Sequence, residues 1–321
     1  MPERNTMKKI QELQQVKGDA YDYYIAGNED TDLFEKIFLV DDIVEEICKP
    51  DKYFLIGEKG SGKTAYSVYM SKSDKINSFC SISLVENTLY QRFLNMKRQK
   101  ALELSSFKDV WINLIYLILA EKIRKEYGET FFSSIKYKQL SKAIDVFYSD
   151  AFKPEFVNAF EFVDNASASI NSMMKQGLFS TGTKASAETS QKYVEQSFQI
   201  SLLKIRDGFE KAFMSVNLKK PTILFVDGID ARPRDIDNEQ YFECLVGLVN
   251  AVLEMNQSFL KEKQIKIMLL IRPDIMYKMP VHNMNQKLRN NSVLLNWVTS
   301  YRKYIDSKLF KIADDYFMKQ Q

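Results

Sequence analysis

The sequence predicts an α/β fold in which a mainly parallel sheet is flanked by helices. Two short apolar runs typical of buried strands, Thr222–Asp227 and Ile265–Ile271, are separated by an amphipathic helical pattern, Tyr241–Met255. Another apolar run, Tyr53–Ile56, leads through a glycine-rich turn into a helical pattern, Ala65–Met70. Strands that alternate with helices in this way favour a parallel sheet covered on both faces.

The turn after Tyr53–Ile56 carries the most specific motif in the chain. Its residues fit the pattern G-x-x-x-x-G-K-[ST] and are Gly57, Glu58, Lys59, Gly60, Ser61, Gly62, Lys63 and Thr64. In such a loop, backbone N–H groups surround the phosphates of a nucleoside triphosphate, and the helix that continues through Ala65 points its N-terminus at them. The alternative is a glycine-rich strand–helix turn without a ligand. The motif predicts a P-loop NTPase, with Gly57 to Ala65 as the nucleotide-binding residues.

Three side chains are predicted to serve the phosphates and a Mg²⁺ ion. Lys63 supplies a positive charge for the β and γ phosphates, and the Thr64 hydroxyl is placed to ligate Mg²⁺. Asp227 is the first polar residue after an apolar strand, the position of a Walker B carboxylate, and we expect it to hold Mg²⁺ through water. The alternative role for Asp227 is to cap the next turn.

Hydrolysis also needs a group that orients and deprotonates water. No glutamate follows Asp227, so we expect Asp230 to act as the base, because Gly228 loosens the bend between them. The fallback candidates are Asp235, Asp237 and Glu239. A protein that binds ATP as a scaffold without turning it over is the alternative that the missing glutamate favours.

Arg272 directly follows the Ile265–Ile271 strand. Ligand sites in parallel sheets lie beyond the carboxyl ends of the strands. We therefore expect its guanidinium to contact the γ-phosphate or the water network of the attack. A plain salt bridge to Asp227 or Asp274 is the structural alternative.

The domain organisation predicted from the sequence is one large α/β domain with an insertion. Its divisions are an N-terminal helical segment (1–30), the ATPase domain (31–300), a largely helical insertion between Walker A and Walker B (87–216) and a C-terminal helix (301–321). Further expected elements are a helix from Asp32 to Ile47, a strand from Ser78 to Leu84, a nearly all-apolar helix from Phe107 to Tyr127, and a small-residue loop from Gly177 to Ser186. The helix from Phe107 to Tyr127 is expected to be buried in the core or under a partner, and the core is favoured. The chain ends within an apparent helix, Trp297 to Met318, and so is expected to be an ATPase module alone or part of a longer protein.

Composition excludes several classes of protein. The 321 residues are 45% hydrophobic, enough for a packed core, and the formal net charge is only +3, which neither demands nor excludes nucleic acid. The three cysteines lack C-x-x-C spacing and His282 is the only histidine, so a disulfide framework, a zinc site and a histidine-based triad are not expected. The polar N-terminus and the short apolar run Val110–Ala120 predict a cytoplasmic, non-membrane protein.

Three motifs together carry a resemblance to known ATPases. The segments G-E-K-G-S-G-K-T, I-L-F-V-D-G-I-D and L-L-I-R-P-D-I resemble the additional-strand P-loop ATPases, among them the STAND and KAP branches. Asp230–Pro233 and Asn283–Trp297 are similar to motifs of a bacterial group of FunZ-like P-loop ATPases, and the resemblance covers about residues 25 to 312. Asn290 departs from the acidic residue of that group, and the winged-helix and sensor domains of STAND proteins do not follow before Gln321.

The resemblance implies an ATP-driven switch of a defence or signalling system that works through self-assembly or an effector protein. The other candidate functions are a nucleic-acid-dependent ATPase and a small-molecule phosphotransferase, although residues 177–190 offer no arginine for a phosphotransferase lid. No N-K-x-D motif is present, which disfavours GTP. The catalytic set contains no arginine finger, so low activity is expected until a neighbouring subunit or partner supplies one. The candidate fingers are Arg232, Arg234, Arg289 and Arg302.

Overall fold

The computed structural model describes residues 18–25, 34–85, 106–132, 137–151, 202–230, 232, 238–279, 288, 290–296 and single residues from 305 to 314. The described strands are β1 (Phe54–Gly57), β2 (Phe79–Leu84), β3 (Thr222–Asp227), β4 (Ile265–Ile271) and β5 (Ser292–Leu295). The named helices are α1 (Ala20–Ile25), α2 (Asp42–Cys48), α3 (Lys63–Lys72), α4 (Phe107–Phe132), α5 (Lys138–Ala151), α6 (Asn238–Asn256) and α7 (Pro273–Lys278). Residues 34–37 and 202–215 are also helical.

The five strands form one parallel sheet in the order β2-β3-β4-β1-β5. β1 pairs with β4 on one side, with Phe54 opposite Leu269, and with β5 on the other, with Leu55 opposite Val293. β4 therefore stands between β1 and β3. The carboxyl ends of β1, β3 and β4 lie side by side at one edge of the sheet, which confirms the predicted α/β fold with a parallel sheet.

Helices cover both faces of this sheet because alternate strand residues point to opposite sides. On one face, Phe54 and Ile56 belong to a core shared with α4, α5, residues 202–216 and α6. On the other face, Leu55 packs in a second core with α1, α2 and α3. The described parts of the predicted helical insertion are thus helical, and they belong to the main core.

The helix predicted from Phe107 to Tyr127 packs in the core, which confirms the favoured one of its two expected locations. Trp111 is 1% exposed, and its indole N–H donates a 3.1 Å hydrogen bond to the Cys244 carbonyl of α6. A Cβ at Gly247 would lie 2.7 Å from Cβ of Phe107, so only glycine allows the two helices to come this close. None of the described helices combines the length and apolar character that crossing a bilayer requires.

One expectation about local structure was wrong, and one strand was not predicted. The single helix from Asp32 to Ile47 is instead a helical segment at 34–37 followed by α2. Asp41 starts the second helix: its backbone is extended (φ −133°, ψ −179°), and its carboxylate caps α2 by accepting a 3.1 Å hydrogen bond from the Ile43 N–H. β5 was not predicted at all, because four residues give too short a pattern. The loop from Gly177 to Ser186 lies outside the described residues, as does most of the predicted C-terminal helix.

Candidate functional site

The loop from Gly57 to Thr64 joins the carboxyl end of β1 to the N-terminus of α3. Gly60 and Gly62 have positive φ angles of 79° and 88°, a conformation that favours glycine. At Gly57, a Cβ would lie 2.2 Å from the Ser61 Oγ and 3.0 Å from the Leu295 Cβ, so the loop closes on itself and on β5 without room for a side chain. The glycines of the motif thus shape a tight turn at the start of a helix, the geometry that an anion-binding loop requires.

The Lys63 ammonium group lies inside this turn. Lys63 is 7% exposed, and its Nζ donates hydrogen bonds of 2.8 Å to the Gly57 carbonyl and 3.2 Å to the Glu58 carbonyl. Asp230 Oδ2 is 3.7 Å from the same nitrogen. The loop's cation is therefore held by its own backbone and faces one carboxylate.

Thr64 and Asp227 are in direct contact. The Thr64 hydroxyl donates a 2.6 Å hydrogen bond to Asp227 Oδ2. The other carboxylate oxygen, Oδ1, accepts a 2.7 Å hydrogen bond from the Gly228 N–H, and Asp227 is 7% exposed. Gly228 has a φ of 84°, and a Cβ there would lie 2.9 Å from the Val85 carbonyl oxygen. The chain turns sharply after β3 and holds the carboxylate against the hydroxyl.

Asp230 lies at the centre of the charged groups. Burial raises the pKa of Asp230 above its usual value; Lys63 opposes this shift, nearby Asp227 adds to it, and the Arg272 guanidinium and backbone N–H oppose it. Its Oδ1 is buried and accepts no hydrogen bond from the described residues. A carboxylate with a raised pKa and a spare acceptor oxygen has the chemical character of a general base.

Arg272 follows β4 and pairs with its near neighbour in sequence. Its Nε and Nη2 donate hydrogen bonds of 3.0 Å and 2.8 Å to the two carboxylate oxygens of Asp274. This is one of the two salt bridges that the sequence left as the structural alternative. The charge of Arg272 still acts on Asp230, so the pair belongs to the same site.

The structure brings together five of the predicted residues: Lys63, Thr64, Asp227, Asp230 and Arg272. The fallback base Glu239 is exposed in the first turn of α6, while Asp235 and Asp237 lie outside the described residues. Of the candidate arginine fingers, Arg232 is exposed, and Arg234, Arg289 and Arg302 also lie outside them. Asn290 is exposed and accepts a 3.1 Å hydrogen bond from Lys52 through its carbonyl oxygen, so this contact does not use its side chain.

A cavity of about 250 Å³ beside the loop was not foreseen. It is lined by residues of the loop, by Ala65 and Tyr66 of α3, by five residues between Phe34 and Asp41, and by Leu295 and Asn296 at the end of β5. Phe38 stacks on Tyr69 with ring centroids 4.4 Å apart and meets Tyr66 edge to face at 5.1 Å. The Tyr66 hydroxyl donates a 2.9 Å hydrogen bond to Asp41 Oδ1. The sequence feature that points to this cavity is the pair of aromatic residues Phe34 and Phe38, four residues apart. The prediction of one continuous helix gave this pair no separate role.

The loop and its surroundings fit a nucleoside triphosphate with its metal. The loop offers a cation and a helix N-terminus to phosphate oxygens, and the Thr64–Asp227 pair offers hydroxyl and carboxylate oxygens, which Mg²⁺ prefers. The adjoining cavity is lined mainly by apolar and aromatic side chains, as pockets for small molecules usually are. Comparisons of the chain with protein-family models, with curated proteins and with solved structures gave no significant match.

Proposed function

We propose that this chain binds ATP·Mg²⁺ at the Gly57–Thr64 loop and hydrolyses it. The contact between Thr64 and Asp227 carries the proposal, because it joins the end of the glycine loop to a strand-end carboxylate 163 residues away. A strand–helix turn without a ligand gives no reason for a buried carboxylate to face the threonine of this motif. The phosphates would replace the Gly57 and Glu58 carbonyls as partners of the Lys63 ammonium.

In this proposal each side chain has one task. Lys63 would hold the β and γ phosphates, and Thr64 and Asp227 would hold the metal. Mg²⁺, when bound, would supply positive charge that stabilises the negative charge of the phosphates. Asp230 accepts the proton of the attacking water, and Arg272 stabilises the charge that develops on the γ-phosphate.

The cavity beside the loop would receive the adenine base. Its volume of about 250 Å³ lies just below the pockets of about 300–1,000 Å³ that hold drug-sized ligands, which suits one ring system. Phe38 offers an aromatic edge or face to the base. In a Phe38→Ala variant, ATP affinity should fall while the affinity for tripolyphosphate, which has no base, stays unchanged. An equal loss of affinity for both ligands would mean that the adenine base binds elsewhere.

The nucleotide proposal is tested by thermal unfolding with and without ATP·Mg²⁺. At about 100 times Kd, binding should stabilise the wild-type fold by about 2.7 kcal/mol. Lys63→Ala should remove most of this gain, because the phosphates lose their cation. Lys59→Ala is the matched control, because Lys59 has an exposed side chain and is expected to serve the phosphates through its backbone N–H, which the substitution keeps. Undiminished stabilisation of Lys63→Ala by ATP·Mg²⁺ would contradict the proposal. ATP binding without hydrolysis by the wild type would instead support the alternative of an ATP-binding scaffold.

We extend the proposal to an ATP-driven switch of the additional-strand class (STAND/KAP-like, FunZ-like), acting in bacterial defence or signalling. Its support is the motif resemblance, together with the position of β4 between β1 and β3. In such a switch, catalysis depends on assembly with copies of itself or with an effector that supplies an arginine. Specific ATPase activity should therefore rise with protein concentration. A dilute chain with concentration-independent turnover above about 1 s⁻¹ would contradict the assembly requirement.

A further inference from the structure

A cleft of about 800 Å³ lies at the opposite end of α3 from the glycine loop. Its walls are α1, the last turn of α3, the first residues of β2, the segment Lys122–Tyr127 of α4, and the residues that precede β3. β2 is the last strand of the described order on this side, so the cleft runs along an edge of the sheet. None of the residues assigned to ATP lines it.

The cleft concentrates positive charge. Its described lining contains five lysines and two carboxylates: Lys72, Lys122, Lys125, Lys219, Lys220, Asp74 and Glu126. This local excess is as large as the net charge of +3 of the whole chain. The lysines come from three separate elements, so folding gathers them at one place. The excess of positive charge around one open cleft favours an anion that binds between the lysines.

Aromatic rings line the same walls. The rings of Tyr21 and Tyr24 are 5.5 Å apart, and the Lys72 ammonium lies 5.7 Å from the Tyr24 ring. Across the cleft, Phe79 and Tyr127 meet edge to face at 6.2 Å. The Tyr24 hydroxyl accepts a 3.3 Å hydrogen bond from the Ile82 N–H of β2, so this ring is fixed to the sheet edge.

We propose that this cleft binds single-stranded nucleic acid. Lysines spread over three elements suit a series of backbone phosphates, and lysine binds phosphate as a point charge without base preference. Partly exposed rings beside them offer stacking surfaces for unpaired bases. An acidic peptide would use the charges but not the rings. The proposal does not depend on the ATPase activity, because the cleft and the glycine loop share no residue.

The test is fluorescence anisotropy of a labelled oligothymidylate or oligouridylate of about 12 nucleotides, within the range of sites on single-strand binders. Titrations over a series of NaCl concentrations, without ATP, give the affinity and its salt dependence. Each phosphate-binding lysine contributes about 0.7 to the slope of log K against log salt. Lys219→Gln/Lys220→Gln should therefore reduce the slope by about 1.4. Lys138→Gln/Lys142→Gln, with two exposed lysines of α5 outside the cleft, removes the same charge and should leave the slope unchanged.

A second variant tests the stacking. Tyr21→Leu keeps an apolar side chain without the ring and should weaken oligonucleotide binding about 5- to 150-fold, while competition by polyphosphate should change little. Equal slopes in the two lysine double variants would overturn the proposal, as would undiminished binding by Tyr21→Leu or equal affinity for a duplex of the same length. Repeating the titration with Lys63→Ala separates this result from the ATP site, because that variant should bind the oligonucleotide normally.

Discussion

The Thr64 hydroxyl donates a 2.6 Å hydrogen bond to the Asp227 carboxylate. One residue begins α3 and the other ends β3, and β4 stands between β3 and the strand that leads into the loop. The contact therefore depends on the pairing of β4 with both β1 and β3. It ties the geometry of the proposed phosphate loop to the strand on which the proposed Mg²⁺ carboxylate lies.

Asp227→Asn should weaken Mg²⁺-dependent ATP binding, because the amide keeps the size of the side chain but loses its negative charge. Loss of a supporting ligand of a metal typically costs about 10–100-fold in metal affinity. Titration of Mg²⁺ at fixed ATP, followed by the thermal shift, measures the effect. Glu58→Gln is the control, since it neutralises an exposed carboxylate of the loop and keeps the backbone N–H through which this residue is expected to serve the phosphates. An unchanged Mg²⁺ requirement in Asp227→Asn would limit Asp227 to capping the turn.

Asp230→Asn should leave ATP binding intact and slow hydrolysis by about 10²-fold or more, since it removes the proposed base. Because burial raises the pKa of Asp230, the acidic limb of the wild-type rate profile should lie above the usual aspartate range. A base works when it is deprotonated, so the rate should fall as the pH drops through that pKa. Single-turnover hydrolysis across pH measures both effects.

Glu239→Gln is the matched control for the base, and we expect wild-type hydrolysis because Glu239 is exposed at the start of α6. Normal turnover by Asp230→Asn would redirect the search to Asp235 and Asp237.

Arg272→Ala should lower turnover more than ATP affinity, because the proposed contact strengthens as charge develops on the γ-phosphate. The guanidinium is now paired with Asp274, so Asp274→Asn, which releases it, should retain turnover. The measurements are kcat, the ATP and ADP dissociation constants, and the melting temperature. Equal loss of ATP and ADP binding with a lowered melting temperature would identify the pair as structural.

Lys266 should make the stability of the fold depend on pH. It is 7% exposed, and its Nζ donates to the Ile47 and Lys49 carbonyls. Burial lowers the pKa of Lys266 from 10.5 to about 8, although nearby Cys48, Cys80 and Asp51 oppose the shift. Between these two values the unfolded chain binds more protons than the folded chain. The contribution of Lys266 to stability is therefore least favourable below pH 8 and rises with pH through this window.

The comparison with Lys266→Met tests this effect. The free energy of unfolding of the wild type, relative to the variant, should rise by about 3 kcal/mol as the pH increases through that window. Urea unfolding at several pH values measures it. Lys261→Met, at an exposed lysine nearby, should show no such slope. A pH-independent difference for Lys266→Met would mean that Lys266 titrates as in the unfolded chain.

Local patterns in the sequence determined the strands that carry the site. Each of β1, β3 and β4 is a short, largely apolar run that leads to a glycine or a charged residue, and such a run is recognisable without its neighbours. Parallel strands bring their carboxyl ends to one edge. For this reason Lys63, Thr64, Asp227, Asp230 and Arg272 could be grouped before their distances were known.

Only the tertiary structure decided the partners and the surfaces. The order that sets β4 between β1 and β3, and the addition of β5, depend on pairing between distant segments. Whether Arg272 pairs with Asp227 or Asp274 depends on the turn after β4, and the break at Asp41 depends on a single cap. The cavity beside Phe38 and the basic cleft collect residues from three or more elements. A cavity lined by several elements leaves no periodic pattern in the sequence, because it results from the packing of whole elements against one another.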